Sequence, residues 1–400
     1  MGILTDALPE WQMRECKAAK GRFHAGASEK RCKQVHNYKY MSPNLSLMEK
    51  LWLNEFWNQV AKLYPPWLAP NLVTFVGMVA QLSAMTLLFI YSPNLTGEAP
   101  RWVYLYSAGA LFLYQTMDGT DGKQAKQTKS GSALGELFDH GCDALATGVY
   151  AQFITDLMGF GSGEVFWSTM SITASYASFM TSNIALVYTG VLPIQSLDCQ
   201  ELQLTIMVMC VLSGLFGRGW TQLIVPLPFK VIPLMSYLPT ELALHKGIYA
   251  IGFAVSIKSQ LQASIKALRA NKDREFRCPP TVTLASMGTQ LVLNALAWNF
   301  SVAPVTTFVM MMWAFGDLML RTIYIRIGDP DALCYNPAAW GILCASVLNP
   351  SPQIELGLCL GMFGLYLYKV VLVITQLTGC LGIPANPFII RPGPLAMPKS

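Results

Sequence analysis

Two runs in this 400-residue chain break an otherwise apolar pattern with groups able to do chemistry. They are Asp118-Gly119-Thr120-Asp121-Gly122-Lys123-Gln124-Ala125-Lys126 and Gly135-Glu136-Leu137-Phe138-Asp139-His140-Gly141-Cys142-Asp143. Helical spacing places Asp118, Asp121, Gly122 and Ala125 on one face, at i, i+3, i+4 and i+7. It places Gly135, Asp139 and Asp143 on another, at i, i+4 and i+8. The short polar segment Gln127–Ser132 would turn these faces toward each other, so that four carboxylates converge beside small residues. Carboxylates that close repel unless a cation lies among them, and oxygen-only ligands favour Mg²⁺, Mn²⁺ or Ca²⁺ over zinc. Gly122, Ala125 and Gly135 leave room for a bulky ligand, while Lys123, Lys126 and Lys129 supply the charge a polyphosphate needs. The chemistry spelled out is metal-assisted phosphoryl transfer to an acceptor in a membrane. Any one of these acids could cap a helix or pair with a nearby lysine; four at two matched spacings are not accounted for in that way.

The elements that must hold these groups are membrane helices. Apolar residues make up 53% of the chain and charged residues 13%, about half the ~25% charge of a soluble domain, and mean hydropathy is +0.38. The pattern predicts an all-α, polytopic membrane protein with about ten transmembrane helices and an N-terminal interfacial amphipathic helix. The ten candidate spans are 72–92, 101–117, 144–160, 166–190, 203–223, 231–256, 282–302, 304–324, 334–349 and 355–378, each near the ~20 apolar residues a crossing requires. The span at 231–256 is interrupted by Glu241, His245 and Lys246 and preceded by several prolines. Residues 46–63 place Met48, Trp52, Phe56, Val60 and Leu63 on one face and Lys50, Asn54, Asn58 and Lys62 opposite, as in a helix lying at the membrane surface or packed on the protein.

Basic residues cluster at 14–39, 123–129 and 258–277, which the positive-inside rule assigns to the cytosol. With an even number of spans, both ends and the carboxylate cluster then face the cytosol. The expected organisation is a cytosolic segment 1–45, the amphipathic helix 46–66, a catalytic membrane domain 67–260, a basic loop 261–281, C-terminal helices 282–380 and a tail 381–400. The net charge of +5 gives no reason to expect nucleic acid as a partner. The ten cysteines show no CxxC or metal-finger spacing and read as small buried hydrophobes. The N-terminus has no apolar core of signal-peptide length. Asn94-Leu95-Thr96 and Asn299-Phe300-Ser301 are glycosylation triplets too close to span ends to be used.

The carboxylate spacing reads D-x2-D-G-x2-A-[R/K]-x8-G-x3-D-x3-D, which resembles the signature of the CDP-alcohol phosphotransferases. The runs DGKQA and LGELFDHGCD narrow the resemblance to the eukaryotic choline/ethanolamine phosphotransferase branch. So do Trp67-Leu68-Ala69-Pro70-Asn71-Leu72-Val73-Thr74, Phe112-Leu113-Tyr114-Gln115-Thr116 and the HNYKY run at 36–40. The resemblance implies transfer of phosphoethanolamine or phosphocholine from CDP-ethanolamine or CDP-choline to diacylglycerol, giving the phospholipid and CMP. It implies that Asp118, Asp121, Asp139 and Asp143 hold two Mg²⁺ or Mn²⁺ ions, and that Gly122, Ala125 and Gly135 let the nucleotide approach closely. It implies that Asn71 contacts the donor, and that His140 is the general base with Asp143 as the second choice. It further implies an endoplasmic reticulum membrane, with the Golgi as the alternative, and is compatible with a homodimer.

Two departures stand out. Lys126-Gln127 occupies the place of the family's Arg-Arg, a point charge in place of a bidentate fork. Residues 198–202 replace a Gly-Pro-x-Glu-Gly stretch, and only Glu201 matches. A relative using inositol, serine or glycerol phosphate would call for more cationic groups near the site. A transporter would spread polar groups over several spans or show an inverted repeat, whereas here the acids are concentrated in one helical pair.

Overall fold

A computed structural model describes residues 34–35, 45–161, 163–193, 198–226, 241–270, 276–381 and 388. The HNYKY run, much of the N-terminal segment and nearly all of the tail lie outside them. A π-helical turn, Glu49–Leu53, leads into α1, Asn54–Lys62. Ten longer helices follow: α2 Pro70–Tyr91, α3 Arg101–Gln127, α4 Ala133–Leu157, α5 Val165–Thr189, α6 Cys199–Phe216, α7 Leu244–Ala270, α8 Pro280–Asn299, α9 Pro304–Ile327, α10 Pro337–Leu348 and α11 Pro352–Leu381. Proline at the first turn starts α2, α8, α9 and α10, where its missing N–H leaves no bond unmade and its φ is already helical. The described residues contain one antiparallel strand pair, β1 Ile224–Pro226 with β2 Glu241–Ala243, joining α6 to α7.

α4 and α9 occupy the middle. α2, α5 and α6 pack around α4, with α3 bridging α2 and α6; α8, α10 and α11 pack on and beside α9. α9 buries Phe308, Met310, Met311, Met312, Phe315, Leu318, Met319, Ile323 and Ile325. Among the described residues four helices, α2, α6, α9 and α11, are long and apolar enough to cross a membrane by length and composition. α10 has 12 residues, about 18 Å of helix against a hydrocarbon core of ~30 Å, so the expected span 334–349 does not cross alone.

Other expectations shift for physical reasons. α3 and α4 run as continuous helices through the carboxylate motif, well beyond the apolar stretches 101–117 and 144–160, because polarity marks where a helix leaves lipid and not where it ends. The segment from 261, read as loop from its basic residues, is helical as far as Ala270. Lys258, Lys266 and Arg269 face outward there while Ala263 and Ala267 are buried. The π-helical turn buries Leu53 and α1 buries Trp57 and Ala61, and α1 rests on α3. The face carrying Trp52 and Leu63 is left exposed. The helix is thus packed on the protein along one stripe and leaves a second apolar face uncovered by the described residues.

Candidate active site

The acidic face of α3 meets that of α4 across a five-residue turn in which Lys129 takes a left-handed φ of 53°. Ser132 caps α4, its hydroxyl accepting from the Gly135 amide at 3.2 Å. Asp118, Asp139 and Asp143 each present a carboxylate oxygen, and the three oxygens lie within 4.8 Å of one another. At that spacing each charged pair costs roughly 3 kcal/mol even at an effective dielectric of ~20. Among the described residues no hydrogen bond from outside the trio is made to Asp118 or Asp139, and Asp143 receives one, from the Tyr114 hydroxyl at 2.8 Å. A half-buried cluster of hard oxygens with so few donors fits a divalent cation by charge, ligand type and spacing.

The fourth expected ligand, Asp121, is buried on the same face of α3 but outside this trio. The Thr74 hydroxyl of α2 donates to its Oδ2, which orients the carboxylate. His140 is buried at the edge of the cluster, and its Nδ1 lies 3.0 Å from Oδ1 of Asn183 on α5. The Asn183 amide nitrogen donates to the Phe179 carbonyl at 3.0 Å, so Oδ1 is the face turned to His140, and it can only accept. Nδ1 is then the nitrogen that donates, and the ring is held with Nε2 as the nitrogen turned away from Asn183.

Asn71 stands in the first turn of α2, its Oδ1 3.8 Å from where a Cβ on Gly135 would lie. Gly122 faces open space, and Lys126 is exposed without a partner among the described residues. Ala125 is half-buried. Lys123 is turned aside, donating to Asn54 of α1 at 2.7 Å. Glu201 closes the capping box of α6 and also accepts from the Met48 amide at 2.8 Å, tying the start of the α1 segment to α6. Gly119 is a packing position: a Cβ there would meet the Trp57 ring at 2.3 Å. Arg326 at the end of α9 pairs with Glu136 in the first turn of α4, so the C-terminal half also holds the site helix. Thr74, Tyr114, Asn183 and Arg326 were assigned no role from the sequence. Thr74 and Tyr114 lie in runs that carry the resemblance, and Asn183 is a polar residue deep within an apolar run, a signal that could have found it.

Comparison with known proteins places the chain in a family. Residues 67–234 match the CDP-alcohol phosphatidyltransferase family model. Choline/ethanolaminephosphotransferase 1 of Arabidopsis thaliana is 30% identical over 386 residues, covering 87% of this chain and 95% of the plant protein. The chain belongs to the CDP-alcohol phosphotransferase family. Cholinephosphotransferase 1 of Danio rerio is 35% identical over 48% of this chain and 50% of its own length. Its human counterpart is 32% identical over 52% and 51%. The match includes the helices that carry every carboxylate described above, so this is a CDP-alcohol phosphotransferase with its acidic motif on α3 and α4.

Proposed function

We propose that the chain transfers phosphocholine or phosphoethanolamine from the CDP-alcohol to diacylglycerol, releasing CMP. The observation that carries this reading is the trio Asp118, Asp139 and Asp143, short of donors and flanked by an oriented histidine, in a chain similar over most of its length to a choline/ethanolaminephosphotransferase. Asp118, Asp121, Asp139 and Asp143 would hold Mg²⁺ or Mn²⁺, two ions in the full site. Such ions, when bound, neutralise the diphosphate and the charge that grows on the leaving phosphate. Asn71, Gly122, Ala125 and Gly135 border the space left for the nucleotide, and Lys126 supplies an exposed positive charge beside it.

The diacylglycerol hydroxyl oxygen forms the new bond to the phosphorus that bears the head group. The bond from that phosphorus to the CMP phosphate oxygen breaks, and CMP leaves with the electron pair. The hydroxyl proton goes to Nε2 of His140, whose Nδ1–H is held by Asn183. A carboxylate serving a cation is a weaker base than a neutral imidazole, which places Asp143 second for this role. The membrane arrangement proposed is ten crossings, with α10 crossing only as part of the bundle and the acidic ends of α3 and α4 toward the cytosol, in the endoplasmic reticulum or Golgi. The test is microsomes from a host lacking the endogenous activity, supplied with each CDP-alcohol and diacylglycerol. Formation of phosphatidylcholine or phosphatidylethanolamine is expected. Product only from CDP-diacylglycerol and a polar alcohol such as inositol would replace this reading with that of another branch of the family.

A further inference from the structure

Between the last turns of α5 and α7 lies a cavity of about 400 Å³, lined by Ala185, Thr189, Leu192, Pro193, Lys266 and Arg269 among others. That volume falls within the ~300–1,000 Å³ of small-ligand sites. None of the motif residues borders it, so it is separate from the carboxylate cluster. α5 and α7 run parallel: Lys246 bonds Glu164 at 2.7 Å near their starts, and Ser256 meets Ser178 at 2.6 Å midway. The cavity is therefore at the end of α5 that also carries Asn183, the partner of His140. From Asn183 to Thr189 is about 9 Å along the axis at 1.5 Å per residue.

Its wall is divided by chemistry. Lys266 and Arg269 supply two positive charges, are exposed, and make no ion pair or hydrogen bond among the described residues. Among the described residues the lining holds no carboxylate to take a metal cation and no aromatic ring to stack a base. Ala185, Leu192 and Pro193 give the remaining wall an apolar surface that a soluble anion would not use. Arg269 in the last turn of α7, with Lys266 just before it, also suits the helix dipole; that accounts for the charges but not for the cavity beside them or the apolar wall opposite. Basic pockets between membrane helices near the bilayer surface take the head groups of anionic lipids.

We propose that this cavity binds the phosphate of an anionic membrane phospholipid, with Lys266 and Arg269 on the phosphate and the apolar wall against the glycerol and upper acyl chain. The proposal needs only that the chain lies in a membrane, and its test involves no turnover. The full-length protein in phosphatidylcholine nanodiscs is exposed to photoactivatable phosphatidylinositol or to phosphatidylcholine with the same photoactivatable chain. Phosphatidylinositol should label peptides spanning 185–193 or 258–270 in preference to phosphatidylcholine. Lys266→Gln/Arg269→Gln should weaken that labelling roughly tenfold or more, as expected for two cations facing a head group. Lys266→Arg/Arg269→Lys should retain it, which separates charge from folding. An Asp118→Asn protein should be labelled normally even if it makes no product. Equal labelling by the two lipids, labelling unchanged in the double Gln variant, or its abolition by inorganic phosphate or glycerol 3-phosphate would overturn the proposal, the last by marking a soluble-anion site.

Discussion

The two ends of α4 handle buried acid in opposite ways. At one end Asp156, fully buried, is saturated with donors: the Ser92 hydroxyl, the Gly97 amide at 2.9 Å and the Tyr104 hydroxyl at 2.8 Å. Arg218 closes the same knot, donating to the carbonyls of Leu157 and Thr96. About 20–26 Å away along the axis, Asp143 and Asp139 face Asp118 with a single donor from outside the trio among the described residues. A carboxylate that serves the fold is fully hydrogen-bonded by the protein. A cluster left short of donors at the price of mutual repulsion is arranged for something that arrives later, a cation and the diphosphate it carries.

That contrast can be broken by exchanging the effects of substitution at the two ends. Asp118→Asn should lower turnover at least about a hundredfold, the scale for loss of a main electrostatic group. It should leave the metal-free protein as stable or more so, since it removes repulsion. Asp156→Asn should do the reverse, costing about 3 kcal/mol by stranding buried donors while the folded fraction keeps its turnover. Parallel assays of rate and melting temperature check both. A stability loss at Asp118 as large as that at Asp156 would erase the distinction.

The histidine sharpens the same comparison, because its partner is a tether and not a ligand. His140→Ala should lower kcat by roughly 10²–10⁴, the range for a lost general base, with CDP-alcohol binding nearly intact. Asn183→Ala should lower kcat about tenfold through the histidine, with KM for the CDP-alcohol unchanged, on the scale of a lost orienting hydrogen bond. In the His140→Ala background the same change should do nothing further, which a purely structural asparagine would not reproduce.

Gly119 tests the packing that supports the site. Gly119→Ala drives a methyl into the Trp57 ring and should cost about 1–3 kcal/mol, as overpacking does. Trp57→Leu should recover part of it in a thermal melt of the double variant. The smallest effect is expected at exposed Lys126: Ala should raise KM for the CDP-alcohol a few-fold, the worth of one solvated charge near an anion, and Arg should hold or lower it. Initial rates at varied CDP-alcohol measure it.

How far the sequence alone reaches follows from where each signal resides. The helical spacing of Asp118, Asp121, Asp139 and Asp143 is local, so the face each acid occupies was legible. So were the starts of α2, α3, α5, α8 and α9, within two residues, from where the apolar runs begin. Helix ends were not: the basic segment from 261 reads as loop, although it stays helical as far as Ala270. Thr74, Tyr114 and Asn183 come from three other helices, and no spacing within α3 or α4 points to them. The Trp57–Gly119 contact was hidden for the same reason, since α1 and the turn before it use the stripe Leu53, Trp57 and Ala61 against the protein and leave the more obvious apolar face outward.

The central claim is that the donor-poor trio is built to take a divalent cation. Melting the purified protein, without substrate, across a Mn²⁺ titration tests it most directly. Binding to the folded state raises stability by RT ln(1 + [L]/Kd), so the melting temperature of the native chain should climb with Mn²⁺ and fall back with EDTA, while that of Asp118→Asn/Asp143→Asn should stay flat. A native chain indifferent to Mn²⁺, or a double variant that responds as the native chain does, would contradict the account.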